Sequence, residues 1–356
     1  MKPQQRLSSL DVLRGFDLFL LVFFQPVLLQ FLSHIDSPVA SALLYHFDHE
    51  VWEGFRFWDL VMPLFLFMSG ISMPFAFSRF LRGEAPKSAA YRKVLRRFVI
   101  LFLLGMVVQG NLLGLNCSAI YIYTNTLQAI ATGYLIAAIL LLHFRWRGQI
   151  LGILLLLLGY AIPMTLWGDF TLEGNLACRI DGMILGRFQG DPTYAWVLPS
   201  LTFGVTVTLG AVAGQMIRQG KHRGRTCLTL ALVGIALVLA GWLWGFHMPI
   251  IKRIWTCSMT LLSAGYCFLL MAAFYGWIDV LGHHRGLEWL KFYGMNSIVA
   301  YMLGEVVSFR SIVHSVSYGL QPILGCQYDT WLTFGNFLIL FFILRWMYRH
   351  QVFVKI

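Results

Sequence analysis

The chain has 356 residues, of which 58% are hydrophobic and only 12% are charged, so its composition excludes an ordinary soluble globular protein. A formal net charge of +11 would suggest a nucleic acid partner in a soluble chain, but basic loops on one side of a membrane account for it here without nucleic acid. The composition therefore predicts an all-α integral membrane protein that lies in a lipid bilayer.

About ten apolar stretches approach the roughly 20 residues that a helix needs to cross a bilayer. They predict a polytopic bundle of about 10–11 transmembrane helices. No soluble module or low-complexity tract interrupts the pattern, so one transmembrane domain over residues 1–356 is expected. The predicted spans are 10–32, 57–81, 97–115, 125–144, 149–167, 198–217, 227–246, 255–280, 290–309 and 331–348.

Basic residues indicate the orientation of these spans. If the amino terminus is cytoplasmic, most of the 27 basic residues fall in inner segments, from Lys2 and Arg6 to Lys355. The bias predicts both termini in the cytoplasm and the loop 33–56 outside. The first apolar run lacks a cleavage pattern and is expected to remain as an anchor. The basic residues on the predicted outer side are Arg56, Arg179, Arg187, Lys252, Arg253 and Arg310.

The first external loop carries many ionisable side chains directly before an apolar stretch. Residues 45–54 contain two histidines and three acidic residues, and polar groups at a membrane boundary are costly unless they are used. We therefore expect chemistry in this loop. Two of the polar residues could instead have structural roles. His46 could be satisfied by hydrogen bonds within the loop, and Asp59, at the start of the next apolar stretch, could cap a helix.

The helical rise of about 1.5 Å per residue places polar residues of the spans at two levels. Ionisable groups inside a membrane mark functional sites by default, so two levels suggest a route across the bundle. Each level also has a structural interpretation. The basic residues of the inner level could set the membrane topology and contact lipid phosphates, and Gln25 and Glu305 of the outer level could pair with each other. The outer level holds Gln25, His49, Asp59, Gln128, Lys252 and Glu305, and the inner level holds Arg14, Asn296 and the basic run 82–97.

The cysteines predict no metal site because no pair shows metal-ligand spacing. Cys117, Cys178 and Cys326 are predicted outside the membrane. Whether two of them form a disulfide is left open by the sequence.

Several ordered motifs resemble the transmembrane acetyltransferase family of heparan-α-glucosaminide N-acetyltransferase and its bacterial relatives. The segment 10–16 is similar to the Asp-x-x-Arg-Gly start of that family, and 49–55 is similar to its His-x-x-Trp-x-Gly pattern. The resemblance covers nearly the whole chain. Further matching segments are 59–63, 67–70, 125–128, 191–192, 210–214, 249–256 and 294–298.

The resemblance implies an enzyme that takes acetyl-CoA from the cytoplasm and acetylates an amino sugar or glycan on the other side, with no metal. It maps the active-site histidine to His49. We expect Asp48 or Glu50 to orient the ring, and Gln25, Gln128 or Lys252 to donate to the oxyanion. The family also suggests a homodimer, and a bacterial inner membrane fits the short chain. For the CoA phosphates we expect Arg14, Arg82, Arg96, Arg97 and Asn296, and for the acceptor Trp52, Asp59, Asn125, Gln128, Lys252, Trp255 and Glu305.

Departures from the family pattern lie in the outer level. Gln25 stands where lysosomal members have Asn, Ala129 follows Gln128 where many have Arg, and Gly304 precedes Glu305 where some have His. The identity of the acceptor is therefore open. So is the choice between an acetyl-histidine intermediate and direct transfer within a ternary complex.

Two other functions compete with the acetyltransferase interpretation. A transporter of a sugar or lipid-linked glycan would use the acidic and aromatic external loops for binding, without CoA. An O-acyltransferase acting on a cell-envelope polysaccharide would share the donor but not the acceptor.

Overall fold

The computed structural model describes residues 7–354, and the regular secondary structure of this part of the chain is helical, with no named strand. A single antiparallel bridge joins Glu53 to Ile251. Eight of the described helical stretches are long and apolar enough to cross a membrane. The predicted fold class, a polytopic all-α membrane protein, is thereby confirmed. Lys2, Arg6 and Lys355, on which the orientation prediction draws, lie outside the described residues.

The α-helices are numbered α1 to α17 along the described chain. They are, in order, Ser8–Phe19, Gln25–Leu32, Pro38–His46, Val61–Ala76, Ser78–Leu81, Lys87–Val108, Thr126–His143, Trp146–Trp167, Leu176–Leu185, Ser200–Gln219, Arg223–Trp244, Cys257–Phe274, Glu288–Met295, Ser297–Val306, Arg310–Ser317, Gln321–Leu324 and Tyr328–Arg349.

The described residues form two compact units of contacts. The first holds residues 7–49, 56–61 and 274–354, and the second holds 50–55 and 62–273. The predicted single domain stays a prediction, since compact units of contacts do not by themselves define domains.

In the first unit, α1 and α13 cross at two glycines. A Cβ added to Gly15 would lie 1.8 Å from the carbonyl oxygen of Leu290, and one added to Gly294 would lie 2.0 Å from that of Asp11. Such a close backbone approach requires glycine on both helices. An apolar cluster of Val12, Ile278 and Leu290 lies beside the crossing.

The first span continues from α1 through a π-helical turn, Leu20–Phe24, into α2. Pro26, at the start of α2, has no N–H to donate to the preceding turn, and a π turn absorbs such a break in the hydrogen-bond ladder. The turn sets the position of Gln25, the first residue of α2.

In the second unit, α4 and α7 pack against α10 through small residues. A Cβ on Gly70 would lie 2.0 Å from the carbonyl oxygen of Val207, and one on Gly210 would lie 2.1 Å from that of Phe67. On α7, a Cβ on Gly133 would lie 2.8 Å from the Val207 side chain. Small residues at these positions let the helices approach closely, as is common in membrane bundles.

Two predicted spans differ from the structure. Only 97–108 of the stretch 97–115 is helical, as the second half of α6, which starts at Lys87. The helix ends at Val108 because Gln109 leaves the helical conformation with φ −125°, and Asn111 then adopts a left-handed φ of 52°. The stretch 290–309 breaks at Asn296 into α13 and α14, where the Asn296 side chain binds backbone groups of Val352 and Val354. Neither segment is among the eight long apolar helices.

Candidate active site

His49 of the first unit pairs with a buried carboxylate. Its ring Nδ1 lies 2.9 Å from Oδ1 of Asp59, whose side chain is fully buried, while the His49 side chain is 41% exposed. When Nδ1 carries the proton and donates it to Asp59, the lone pair of the ring resides on Nε2. The pair is an arrangement of acid and imidazole that suits a general base or a nucleophile.

Asp59 also holds the backbone turn that leads into α4. It lies in the short 3₁₀ turn Phe57–Leu60, and its Oδ2 accepts the backbone N–H of Arg56 at 3.0 Å. The capping role and the contact with the imidazole therefore coexist in one side chain. Because the cap fixes the carboxylate, the imidazole meets a group that is already oriented.

Asp48 has a different position from the one expected for it. Its Oδ1 accepts the backbone N–H of His49 at 2.7 Å, so it contacts the main chain of the histidine. Glu50, the other acidic neighbour, accepts the N–H of Val51 at 3.0 Å in the same manner. The carboxylate at the ring nitrogen belongs to Asp59, which the sequence placed with the acceptor.

Gln25 lies near the histidine segment in the first unit. Its Nε2 donates to the carbonyl oxygen of Phe47 at 3.1 Å, and the Phe47 ring packs against Phe24, Phe57 and Trp58. The sequence did not predict α3, which occupies this loop and begins at Pro38, with the Ser37 side chain accepting from Ala40 at 3.1 Å. Within the first unit, the fold thus brings Gln25 and the 47–49 segment together.

The remaining first-unit residues with predicted roles have other surroundings. Arg14 lies 3.8 Å from Asp11 on the same helix. Asn296 is fully buried and donates to the carbonyl of Val352 at 3.0 Å, while accepting from the N–H of Val354 at 3.1 Å. Glu305 is exposed near the end of α14. Asn296 therefore anchors the carboxy-terminal segment, and a contact with CoA is not needed to explain it.

In the second unit, the segment directly after His49 is bound to two other loops. Trp52 donates its indole N–H to the carbonyl of Phe170 at 2.8 Å, and Gly54 donates its N–H to Ile250 at 2.8 Å. Phe55 stacks on Tyr266 with ring centroids 5.6 Å apart. The Gly54 hydrogen bond and the bridge between Glu53 and Ile251 fix residues 53 and 54 to the segment 249–256, while Trp52 and Phe55 contact the chain outside it.

The segment 249–256 contains buried hydrogen-bond donors that have no partner among the described residues. Trp255 is buried with a left-handed φ of 49°, and its Nε1 has no hydrogen-bond partner among the described residues. Nε of Arg253 is likewise buried and unpaired there, although Nη1 donates to Thr193 at 2.6 Å and the guanidinium lies over Tyr194. Backbone strain and unsatisfied donors of this kind accumulate at functional sites. Lys252 beside them is 8% exposed.

Asn125 and Gln128 form a capping box at the start of α7. The Asn125 side chain accepts from Leu127 N at 2.7 Å, and Gln128 Oε1 accepts from Thr124 N and Asn125 N. Gln128 Nε2 donates to the carbonyls of Ile122 and Phe102. Both side chains are fully buried, and their amides are used to cap the start of the helix. The predicted binding of the acetyl acceptor by Asn125 and Gln128 is therefore not part of the proposal below.

The basic residues of the second unit that are predicted to bind CoA have different surroundings. Arg82 donates to Glu84 at 2.5 and 3.0 Å, and this hydrogen bond lowers the pKa of Glu84. Arg97 lies over the Tyr134 ring at 4.4 Å, and its Nε is buried without a hydrogen-bond partner in the described part of the chain. Arg96 is exposed one residue earlier. Arg96 and Arg97 are therefore better placed than Arg82 to bind an added anion.

Asp181 is a buried carboxylate that the sequence did not single out. It lies in α9, outside the eight long apolar helices, and accepts the N–H groups of Trp196 at 2.7 Å and Val197 at 3.0 Å. Burial raises the pKa of Asp181 to about 6, although the two N–H donors act in the opposite direction. The sequence feature that could have indicated Asp181 is that it is the one acidic residue in the apolar run 176–185.

Of the three cysteines predicted outside the membrane, Cys178 and Cys326 are free thiols, and the Cys117 side chain lies outside what the structure describes. Within residues 7–354, no group of three or more His, Cys, Asp or Glu is arranged to hold a metal ion.

Comparison with known proteins relates the chain to one family. A model of that family, described as heparan-alpha-glucosaminide N-acetyltransferase, catalytic, matches residues 6–243. The heparan-alpha-glucosaminide N-acetyltransferase of Homo sapiens is 26% identical over 368 residues, which cover 85% of this chain and 53% of the human protein. The protein of the same name from Mus musculus is 25% identical over 370 residues, covering 85% and 54%. The chain thus spans about half the length of these relatives.

Proposed function

The chain belongs to the heparan-alpha-glucosaminide N-acetyltransferase catalytic family, and on that premise we propose that it transfers an acetyl group from acetyl-CoA to an amino sugar or glycan. The donor is bound from the cytoplasm and the acceptor from the other face of the membrane. The family relationship supports the transferase chemistry, and the apolar helices support a membrane location.

The observation that carries the proposal is the His49–Asp59 pair, with Nδ1 and Oδ1 2.9 Å apart. The Asp59 carboxylate fixes the ring orientation and stabilises the imidazolium that forms when Nε2 takes a proton. Asp48 positions the histidine backbone through its contact with the His49 N–H.

The transfer balances with His49 as base. The acceptor nitrogen forms a bond to the acetyl carbonyl carbon, the carbon–sulfur bond breaks, and the proton of the amine passes through Nε2 to the thiolate of CoA. With His49 as nucleophile, Nε2 bonds to the acetyl carbon and the carbon–sulfur bond breaks, so that CoA leaves as the thiolate. The amine then attacks the acetyl carbon, Nε2 leaves with its electron pair, and the amine proton passes to the thiolate.

Gln25 is proposed to stabilise the oxyanion of the tetrahedral intermediate. Its amide has two N–H donors, and the carbonyl of Phe47 accepts from one of them. The other is assigned to the developing negative charge, a role in which one donor contributes about 10²–10³-fold in rate.

For the donor, the second unit supplies Arg96 and Arg97, two adjacent arginines of α6. The phosphates of CoA are multiply anionic, and charge-assisted hydrogen bonds from guanidinium groups bind such groups well. The buried, unpaired Nε of Arg97 supports this assignment. For the acceptor, the same unit supplies Arg253, Trp255 and Lys252 in the segment 249–256.

Labelled acetyl-CoA tests the function directly. The purified protein is expected to transfer label to glucosamine or to a glucosamine-terminated glycan, and His49→Ala is expected to abolish transfer while retaining CoA binding. His46→Ala is the matched control, because it removes an imidazole from the same segment at an exposed position.

Transfer by His49→Ala at the wild-type rate would contradict the assignment of His49. Uptake of a sugar into vesicles without CoA, together with no acetyl transfer, would support the transporter alternative. Transfer of label to a hydroxyl acceptor alone would support the O-acyltransferase alternative.

A further inference from the structure

A basic cavity lies at the turn between α10 and α11, and none of the residues assigned above is in its lining. Its volume is about 340 Å³, and it is lined by the end of α10, the turn and the first two turns of α11. The lining includes no acidic residue. Its polar members are Gln219, Lys221, His222, Arg225, Thr226 and Thr229.

The start of α11 adds positive potential to this cavity. The helix has 22 residues, and its N-cap, His222, makes no side-chain capping hydrogen bond. The first N–H groups of a helix have no partner within the helix, and its dipole is positive at this end. Together with Lys221 and Arg225, the helix start favours a phosphate group in the cavity.

The cavity opens onto a helix face that is suited to acyl chains. Apolar residues exposed along α11 recur at helical spacing, which places them on one face. Arg225 lies three residues before the first of them and Thr229 four residues after Arg225, so both belong to the same face. The exposed residues are Leu228, Leu232, Ile235, Leu239, Trp242 and Leu243.

The length of this face matches a bilayer. Arg225 and Trp242 are separated along the helix by about 25 Å, close to the ~30 Å of a hydrocarbon core. Trp242 packs edge-on against Phe246, with ring centroids 5.0 Å apart, as expected for aromatic residues at a membrane interface. Arg225 then lies at the headgroup level of the opposite leaflet.

We propose that this cavity binds the phosphate of an anionic phospholipid, whose acyl chains lie along the exposed face of α11. Positive charge next to a continuous apolar face fits a lipid better than a free phosphate, because a free phosphate would use only the cavity. Under the predicted orientation, the lipid belongs to the cytoplasmic leaflet, where basic pockets commonly bind headgroups.

The test compares lipid binding by the full-length protein in detergent, measured by native mass spectrometry with phosphatidylglycerol. Lys221→Gln combined with Arg225→Gln is expected to weaken binding about 10- to 30-fold, because each basic residue near a headgroup contributes about a factor of five. Thr229→Trp, which fills the cavity without changing charge, is also expected to weaken it.

The matched control is Arg145→Gln combined with Arg147→Gln, two exposed arginines at the turn between α7 and α8. This pair removes the same charge on the same predicted side, and phosphatidylglycerol binding is expected to stay within about twofold of wild type. Equal weakening by both pairs, or no weakening by Lys221→Gln with Arg225→Gln, would overturn the proposal.

Competition identifies the source of the phosphate. Phosphatidylcholine with the same acyl chains and inorganic phosphate are expected to displace phosphatidylglycerol poorly. Displacement by inorganic phosphate at similar concentration would make the cavity a free-anion site. Displacement by acetyl-CoA would make it part of the donor site. Either result overturns the lipid assignment. The assay needs no turnover, so its outcome is independent of the acetyltransferase proposal.

Discussion

Asp59 has two hydrogen-bonding tasks, which use different oxygens of one carboxylate. Oδ2 holds the turn before α4 and Oδ1 meets the His49 ring. Asn at this position can still accept the N–H of Arg56, but it cannot supply the negative charge that favours the imidazolium. The two tasks can therefore be separated by one substitution.

We expect Asp59→Asn to lower kcat about 100-fold, since the orienting charge is lost, with little change in the KM for acetyl-CoA. Steady-state kinetics with varied acetyl-CoA measure both parameters. Asp48→Asn is the control, and an equal loss there would argue against Asp59 as the ring partner.

Arg253 is expected to contribute to acceptor binding through its buried Nε. Arg253→Gln should raise the KM for the acceptor about tenfold with little change in kcat, because a hydrogen bond to a charged group contributes about 1.5–3 kcal/mol. Arg187→Gln is the control, an exposed arginine on another predicted external loop. An unchanged acceptor KM in Arg253→Gln would remove this residue from the site.

Asp181 should make stability depend on pH. Its folded pKa, about 6, is raised above the ordinary value of 3.8, so its contribution is complete below about pH 4 and is lost as the pH rises through 6. The loss is at most about 3 kcal/mol. Thermal unfolding in detergent should show that the stability of Asp181→Asn relative to wild type increases as the pH rises from about 4 to above 6, because only the wild type loses the contribution of Asp181.

Asp169 provides the opposite sign as a control. Hydrogen bonds from Thr171 lower the pKa of Asp169, so any stability it contributes is lost as the pH falls. Asp169→Asn should therefore show no gain relative to wild type as the pH rises. The same gain in both variants would mean that Asp181 is not the source.

At the scale of helices, glycines at the crossings decide how closely the elements pack. The oxygen that would meet a Cβ at Gly15 belongs to the backbone of α13, which has no side-chain freedom with which to move away. A methyl group at this position must therefore separate the two helices. The π turn at Leu20–Phe24 is a second local device, because it absorbs Pro26 without ending the span.

Gly15→Ala is expected to destabilise the protein by about 1–3 kcal/mol, or to prevent its accumulation, because it overpacks the α1–α13 crossing. Gly319→Ala in the same unit is the control, since nothing lies within 4 Å of the added Cβ. Thermal unfolding in detergent and the yield of folded protein provide the measurements. Equal stability of the two variants would contradict a close crossing at Gly15.

For the whole molecule, orientation in the membrane determines which face meets each substrate. The predicted arrangement places the His49 loop outside and the loop 82–97 in the cytoplasm. Homodimer formation and residence in a bacterial inner membrane stay predictions alongside it.

Cysteine labelling tests the orientation. In a variant with the six native cysteines replaced, Val51→Cys should react with an impermeant maleimide in intact cells, since Val51 is 68% exposed. Ser88→Cys, exposed on the opposite predicted side, should react only after permeabilisation. The reverse pattern would invert the topology and separate His49 from an external acceptor.

The sequence by itself determined the fold class, the approximate spans and the family. Hydrophobic runs of bilayer length report on their environment without knowledge of neighbours, and the ordered motifs around His49 are local in the chain. The family match over residues 6–243 agrees with that resemblance. The density of ionisable groups in residues 45–54 was also visible without a fold.

Only the tertiary structure decided which carboxylate meets the His49 ring. Asp48 and Glu50 are the nearest acids in sequence, yet the turn at Phe57–Leu60 brings Asp59 to Nδ1. The structure likewise shows that Asn125 and Gln128 bind the start of α7, and that Nε of Arg253 and Nε1 of Trp255 are buried without a hydrogen-bond partner among residues 7–354. Hydrogen-bond partners depend on the direction of each side chain, and composition and spacing do not contain that direction.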